Sequence, residues 1–211
     1  MDRRSQLIMT GESYLTVANS AAAEITIERS RFIGHCREVA SEATAKSFIA
    51  QIRAEQSLAT HNCYAYRIGN GESPVEYFND HGEPNGTAGK PILGAIQRLN
   101  LTNVVVVVTR YFGGKKLGVR GLIEAYGGAA TQVLEQVGSI RRVPKFTIVL
   151  RYPYHDHQNV LYRLKQFEAE VIANQFNEGV RSEFLVPVNN YEALMAVLQA
   201  LPELKILSKN L

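Results

Sequence analysis

The sequence predicts an α+β protein of two domains, residues 1–140 and 141–211. Three observations carry that reading. Short segments that alternate apolar and polar side chains are interleaved with stretches whose apolar residues recur at helical spacing. "GSIRRVPK" (138–145) then combines a glycine, a proline and clustered charges, the composition of a domain boundary. Beyond it the signals run strand, helix, strand, strand, helix, strand.

In chain order, "YLTV" (14–17), "EITIERSRFIGHCREV" (24–39) and "HNCYAYRIG" (61–69) read as strands, rich in β-branched and aromatic residues. Ser41 is placed to cap a helix through about residue 56, with Ala45, Phe48, Ile49 and Ile52 on one face. "PVEYFND" (74–80) is a further strand. Pro91 suits the first turn of a helix, where its missing N–H costs little. "NVVVVVTRYF" (103–112) reads as a strand buried on both faces, because its valine run leaves no polar side. A second helix over about 119–137 carries Leu122, Ile123, Tyr126, Ala130, Val133, Leu134 and Val137 as its apolar stripe. Gly127 and Gly128 inside it cost roughly 1 kcal/mol each against alanine. Close packing of that helix on the sheet is the expected reason for them. In the second domain the strands fall at 145–152, 169–175, 181–188 and 203–208, with helices at about 156–168 and 190–201. This βαββαβ order is the ferredoxin-like motif.

Composition narrows the function classes. Of 211 residues 45% are hydrophobic and 20% charged, which suits a packed core. Cys36 and Cys63 have no ligand-like spacing and read as free thiols of a reducing compartment. The apolar run Leu7–Met9 is too short for a signal peptide, and no stretch approaches the ~20 apolar residues of a membrane span. A soluble cytoplasmic protein without membrane contact is expected.

Two glycine-rich loops precede the two helices of the first domain: "NDHGEPNGTAGKP" (79–91) and "RYFGGKKLGVRG" (110–121). The first is not a phosphate-binding P-loop. Pro84 stands where its first glycine is required, and Pro91 where a magnesium-binding hydroxyl belongs. The second, with Gly113, Gly114, Gly118 and Gly121, never gives the G-x-G-x-x-G dinucleotide spacing. What remains is general: unpaired N–H groups and the dipole at a helix start favour an anion, and glycine lets backbone approach it. For either loop taken alone, tight turns and packing are the commoner use of such glycines.

Charge distribution favours the anion. From Pro84 to Ile123 there is no Asp or Glu, while Lys90, Arg98, Arg110, Lys115, Lys116 and Arg120 give that stretch six positive charges in a chain of net +3. Lys90, Arg110, Lys115, Lys116 and Arg120, with Gly113, Gly114 and Thr87, are the expected anion- or nucleic-acid-binding set. Asp80 and Glu83 flank it as acidic partners that hold a turn or a cation, or act as acid and base. His155 and His157 lack a third metal ligand nearby. His61 and Cys63 share a strand face but show no activating partner. No metal, cofactor or catalytic set is expected.

"NDHGEPNGTAGKPIL", "VVVVVTRYFGGKKLG", "LIEAYGG", "SRFIGH" and "ATHNCYAY" together resemble the IMPACT family, called the YigZ family in bacteria. The resemblance runs from about Tyr14 to the C-terminus. It implies a first domain like the second domain of ribosomal protein S five, and a ferredoxin-like second domain similar to the last domain of elongation factor G. Eukaryotic members regulate translation during amino-acid starvation. The chain departs from the family pattern at His81, usually aspartate, at Arg120, usually glycine, and at Glu124, often basic. The first change weakens a two-carboxylate site; the second adds a charge that suits phosphate contact.

The leading expectation is a non-enzymatic protein that binds RNA or the ribosome and takes part in regulating translation. The alternatives are an enzyme acting on a phosphorylated or other anionic small molecule, and a regulator with a protein partner in translation control.

Overall fold

A computed structural model describes residues 13–70 and 73–210. The signal-peptide reading of residues 7–9 lies outside them. The chain divides into two compact units, Tyr14–Arg142 and one holding Val143–Leu211.

The first unit is built on a five-stranded sheet ordered β2-β3-β6-β4-β5, antiparallel throughout. Its strands are β2 (Ala21–Ile27), β3 (Ser30–Glu38), β4 (His61–Ile68), β5 (Val75–Asn79) and β6 (Val104–Tyr111). Helix α1 (Glu42–Glu55) covers one face; α2 (Gly89–Arg98) and α3 (Gly118–Val137) cover the other. β6 is central, and its valines divide between the two layers. Val104, Val106 and Val108 meet α2 and α3, while Val105 and Val107 meet α1. Ser41 caps α1 as expected, with Thr44 returning the bond in a capping box. Ala45, Phe48, Ile49 and Ile52 are its buried face.

Three features differ from the sequence reading. The segment 24–39 is a hairpin rather than a single strand. β2 and β3 are joined by Glu28 and Arg29, both in the left-handed region at φ 48° and 68°. Such two-residue turns usually announce themselves with Asn or Gly, so nothing local marked this one. Second, β7 (Ser139–Arg142) continues past α3 and pairs with β1 (Tyr14–Val17), so the boundary stretch itself carries a strand. Third, the closest helix–sheet approach is not at Gly127 or Gly128. A Cβ on Gly34 of β3 would stand 2.8 Å from the Ala129 carbonyl oxygen, whereas one on Gly127 would only touch Pro91 of α2 at 3.7 Å.

The second unit runs β8 (Lys145–Tyr152), α4 (His157–Lys165), β9 (Glu170–Asn177), β10 (Gly179–Pro187), α5 (Tyr191–Gln199) and β11 (Lys205–Asn210). Its antiparallel sheet is ordered β11-β8-β10-β9. Phe146, Ile148 and Leu150 of β8 and Phe184 and Val186 of β10 form its core with Val160, Leu164, Leu194 and Leu198 of the helices. This core is separate from those of the first unit.

Candidate functional site

The two glycine-rich loops lie at one end of the first unit's sheet, and they are built differently. In the first, the Asp80 carboxylate accepts from the backbone N–H of Ala88 at 3.0 Å, Gly89 at 2.8 Å and Gly86 at 2.9 Å. The chain's own aspartate therefore occupies the anion position at the start of α2. Thr87, 3% exposed, donates its hydroxyl to the Pro84 carbonyl at 2.6 Å. Asp80 and Thr87 thus hold the loop in shape, and Asp80 is not free to act as an acid or base. Lys90 is exposed, with no ion-pair partner among the described residues.

In the second loop the Gly113 N–H donates to the Ser30 hydroxyl, and a Cβ at Gly113 would lie 2.1 Å from the backbone of Arg29. Only glycine lets this loop seat against the β2–β3 turn. Lys115 pairs with Glu28 of that turn at 2.6 Å, in the open. α3 then begins without the device used at α2. Its N-cap is Leu117, no side chain among the described residues caps it, and its first turn holds no acid.

Between the loops is a cavity of about 490 Å³. Register explains why its charged residues meet: His61 at the start of β4 and Phe32 of β3 both pair with Arg110 near the end of β6. Arg110 is 5% exposed, and its guanidinium lies between the Phe32 and Phe112 rings, 5.4 and 5.3 Å from their centroids. Nη1 donates to Glu83 Oε1 at 2.6 Å, and the Tyr126 hydroxyl donates to the same oxygen at 2.8 Å. Among the described residues Arg110 Nε is buried with no hydrogen-bond partner. His61 Nδ1 lies 2.8 Å from the His81 carbonyl oxygen, which can only accept, so this nitrogen carries the proton. In the neutral ring Nε2 is left as an acceptor, 3.8 Å from Glu83. Lys116, Leu117, Gly118 and Val119 form the opposite rim.

Neighbouring titrating groups sort into roles. Burial pushes the Cys63 thiol up to about 12, and its Sγ donates to the Asp80 carbonyl at 2.9 Å, so it is no nucleophile. Burial, with Cys63 and Glu83 nearby, raises the Tyr126 phenol far above its ordinary value, which keeps it a donor. His81 is held below its ordinary value by burial, then by Arg53 and His61, and its Nδ1 accepts the Asn62 N–H at 3.1 Å.

Of the residues expected to bind an anion, Arg110 and Lys116 line the cavity together with Glu83, and Gly113, Gly114 and Lys115 form the adjoining loop. Arg120 stands clear of it, 93% exposed and paired with Glu124 at 2.9 Å. Lys90 and Thr87 belong to the other helix start. His61, considered only beside Cys63, Tyr126, placed only in the apolar stripe of α3, and Phe112 stood outside the expected anion-binding set. Only their strand register and helix packing bring them here. A larger hollow of about 620 Å³ on the second unit, beside Arg151 and Glu178, is lined by exposed charges. Among the described residues no cluster of His, Cys, Asp or Glu could hold a metal, and no helix is long and apolar enough to cross a membrane.

An antiparallel sheet layered by helices, with a buried Glu–Arg pair flooring a cavity that Lys116 rims, defines a protein of mixed helix and sheet in two units. The Impact N-terminal domain model matches residues 28–134, just over half of the chain. IMPACT family member YigZ of Escherichia coli is 33% identical over 83% of this chain and 87% of its own length. IMPACT family member YvyE of Bacillus subtilis is 46% identical over 62% of this chain, an alignment spanning 59% of that relative. A solved crystal structure of a hypothetical protein superposes with a TM-score of 0.70 at 32% identity, covering 93% of this chain and 97% of that one. The chain belongs to the IMPACT family.

Proposed function

We propose that the chain is a non-enzymatic RNA- or ribosome-binding protein that takes part in regulating translation in the cytoplasm. One observation carries the reading. Lys115, Lys116 and the acid-free start of α3 stand together beside the exposed ring of Phe112, around a cavity floored by Arg110. Cations beside an aromatic ring suit a phosphate backbone with unstacked bases. The ion pairs of Lys115 with Glu28 and of Arg120 with Glu124 are exposed to solvent. Such pairs contribute little in water and yield to a polyanion. The link to translation rests on family membership and on the ribosomal-type folds that the family resemblance implies for both units.

The test is binding of RNA by the full chain across a salt series. Affinity is expected to fall steeply with salt, and replacing Lys115 and Lys116 by alanine to flatten that slope by about 1–2 units. Absence of binding at low salt, or binding indifferent to salt, overturns the proposal.

One observation favours a second reading, an enzyme acting on an anionic small molecule. His61 Nε2 faces the cavity beside Glu83 as an acid–base candidate. A panel of phosphorylated metabolites tests it. A true ligand at 100 times its dissociation constant stabilises the fold by about 2.7 kcal/mol, and no shift across the panel removes the reading.

A further inference from the structure

We propose that the cavity between β4, β6 and the start of α3 binds one nucleotide through its phosphomonoester, at the end of an RNA strand or as a free nucleoside monophosphate. This rests on the RNA-binding reading and names the part of the RNA that the site takes.

Four observations converge on that ligand. The first is shape. A cavity of about 490 Å³ lies in the usual range for small-molecule sites, about 300–1,000 Å³. That volume has room for one nucleotide.

The second is the unmet demand for an acceptor. At α2 the chain supplies Asp80 to the helix start; at α3 the described residues supply neither a side-chain cap nor an acid in the first turn. Lys116 on the rim has no ion-pair partner among the described residues, and the Arg110 guanidinium lies on the cavity floor. Glu83 does not repel an anion here, because Arg110 compensates its charge at 2.6 Å.

The third is the apolar side of the cavity. Phe112 is 46% exposed and Val119 61%, with Leu117 and Leu122 behind them. An exposed ring at the mouth of a phosphate-sized site stacks a base of any sequence. The fourth is His61. Its Nδ1 proton is committed to the His81 carbonyl, so in the neutral ring Nε2 presents an acceptor to the cavity. A ribose 2′-hydroxyl is the donor that satisfies it and separates RNA from DNA.

The experiment measures binding of the full chain to one short RNA bearing a 5′-phosphate, a 3′-phosphate or no terminal phosphate, to its DNA counterpart, and to adenosine monophosphate against adenosine. One phosphorylated end is expected to bind about tenfold tighter than the bare end, the size of a favourable helix-terminus contact. Lys116→Ala and Phe112→Ala are each expected to abolish that preference. Both side chains are exposed, and circular dichroism verifies that the variants fold. His61→Ala is expected to remove the preference for RNA over DNA. RNA bound equally whatever its ends, with no response to Lys116→Ala or Phe112→Ala, overturns this inference and leaves RNA binding standing. Adenosine monophosphate bound through Lys116 and Phe112, with RNA ignored, supports the cavity assignment and overturns the RNA reading. Binding of neither overturns both.

Discussion

Arg110 and Glu83 show what a single residue pair does here. Both side chains are at least 94% buried, and Glu83 also accepts from Tyr126. Glu83→Ala strands the guanidinium in the interior and is expected to destabilise the protein by about 3–5 kcal/mol, read from denaturant midpoints. Replacing both partners by apolar side chains of similar volume is expected to cost much less. Two histidines set the response to acid. His35 and His81 are both held below the ordinary value by burial, and His35 Nε2 is buried without a hydrogen-bond partner among the described residues. The fold favours their neutral forms, so their contribution is complete above about pH 6.5 and is lost as pH falls through the depressed folded values. Stability is expected to decline from pH 7 toward pH 5, and His81→Asn, which tolerates the left-handed φ of 45° at that position, to flatten the decline. Denaturant midpoints across that pH range measure both effects. At this scale the sequence showed which residue types were present. It did not show that Glu83 sits on Arg110, because 27 positions separate them and no local period spans that distance.

Elements explain why the two glycine loops differ. Helix α2 is closed by Asp80, which takes three backbone N–H groups of its own loop. Asp80→Ala is expected to cost about 1–2 kcal/mol and to speed hydrogen exchange at Gly86, Ala88 and Gly89, which native-state exchange would reveal. α3 starts open beside the cavity. Both helices were legible from their apolar stripes, and the central strand from its valines, because those signals are periodic and local. The β2–β3 hairpin was not, because Glu28 and Arg29 are poor markers of a left-handed turn. What holds the turn is remote in sequence: Gly113 packs on its backbone and Lys115 pairs with Glu28.

For the whole molecule, each unit has its own hydrophobic core. A fragment of residues 14–142 is therefore expected to unfold as one cooperative transition and to keep the Lys115 and Lys116 contribution to the salt slope. Calorimetry and RNA titration of that fragment check both statements. A fragment without a melting transition would show that the first unit needs the second. The element order of the second unit was readable in advance, since apolar spacing changes along the chain itself.

By itself the sequence determined the α+β class, the principal helices and most strands, the doubly buried valine strand, the excess of cations over residues 84–123 and the family. These follow from periodicity, composition and motif, which neighbouring residues express together. Only the tertiary structure decided which helix start is closed by an aspartate and which is open. It also decided that His61, Phe112 and Tyr126 join Glu83 and Arg110. Strand register and helix packing make those choices, and they depend on contacts between residues that no local pattern couples.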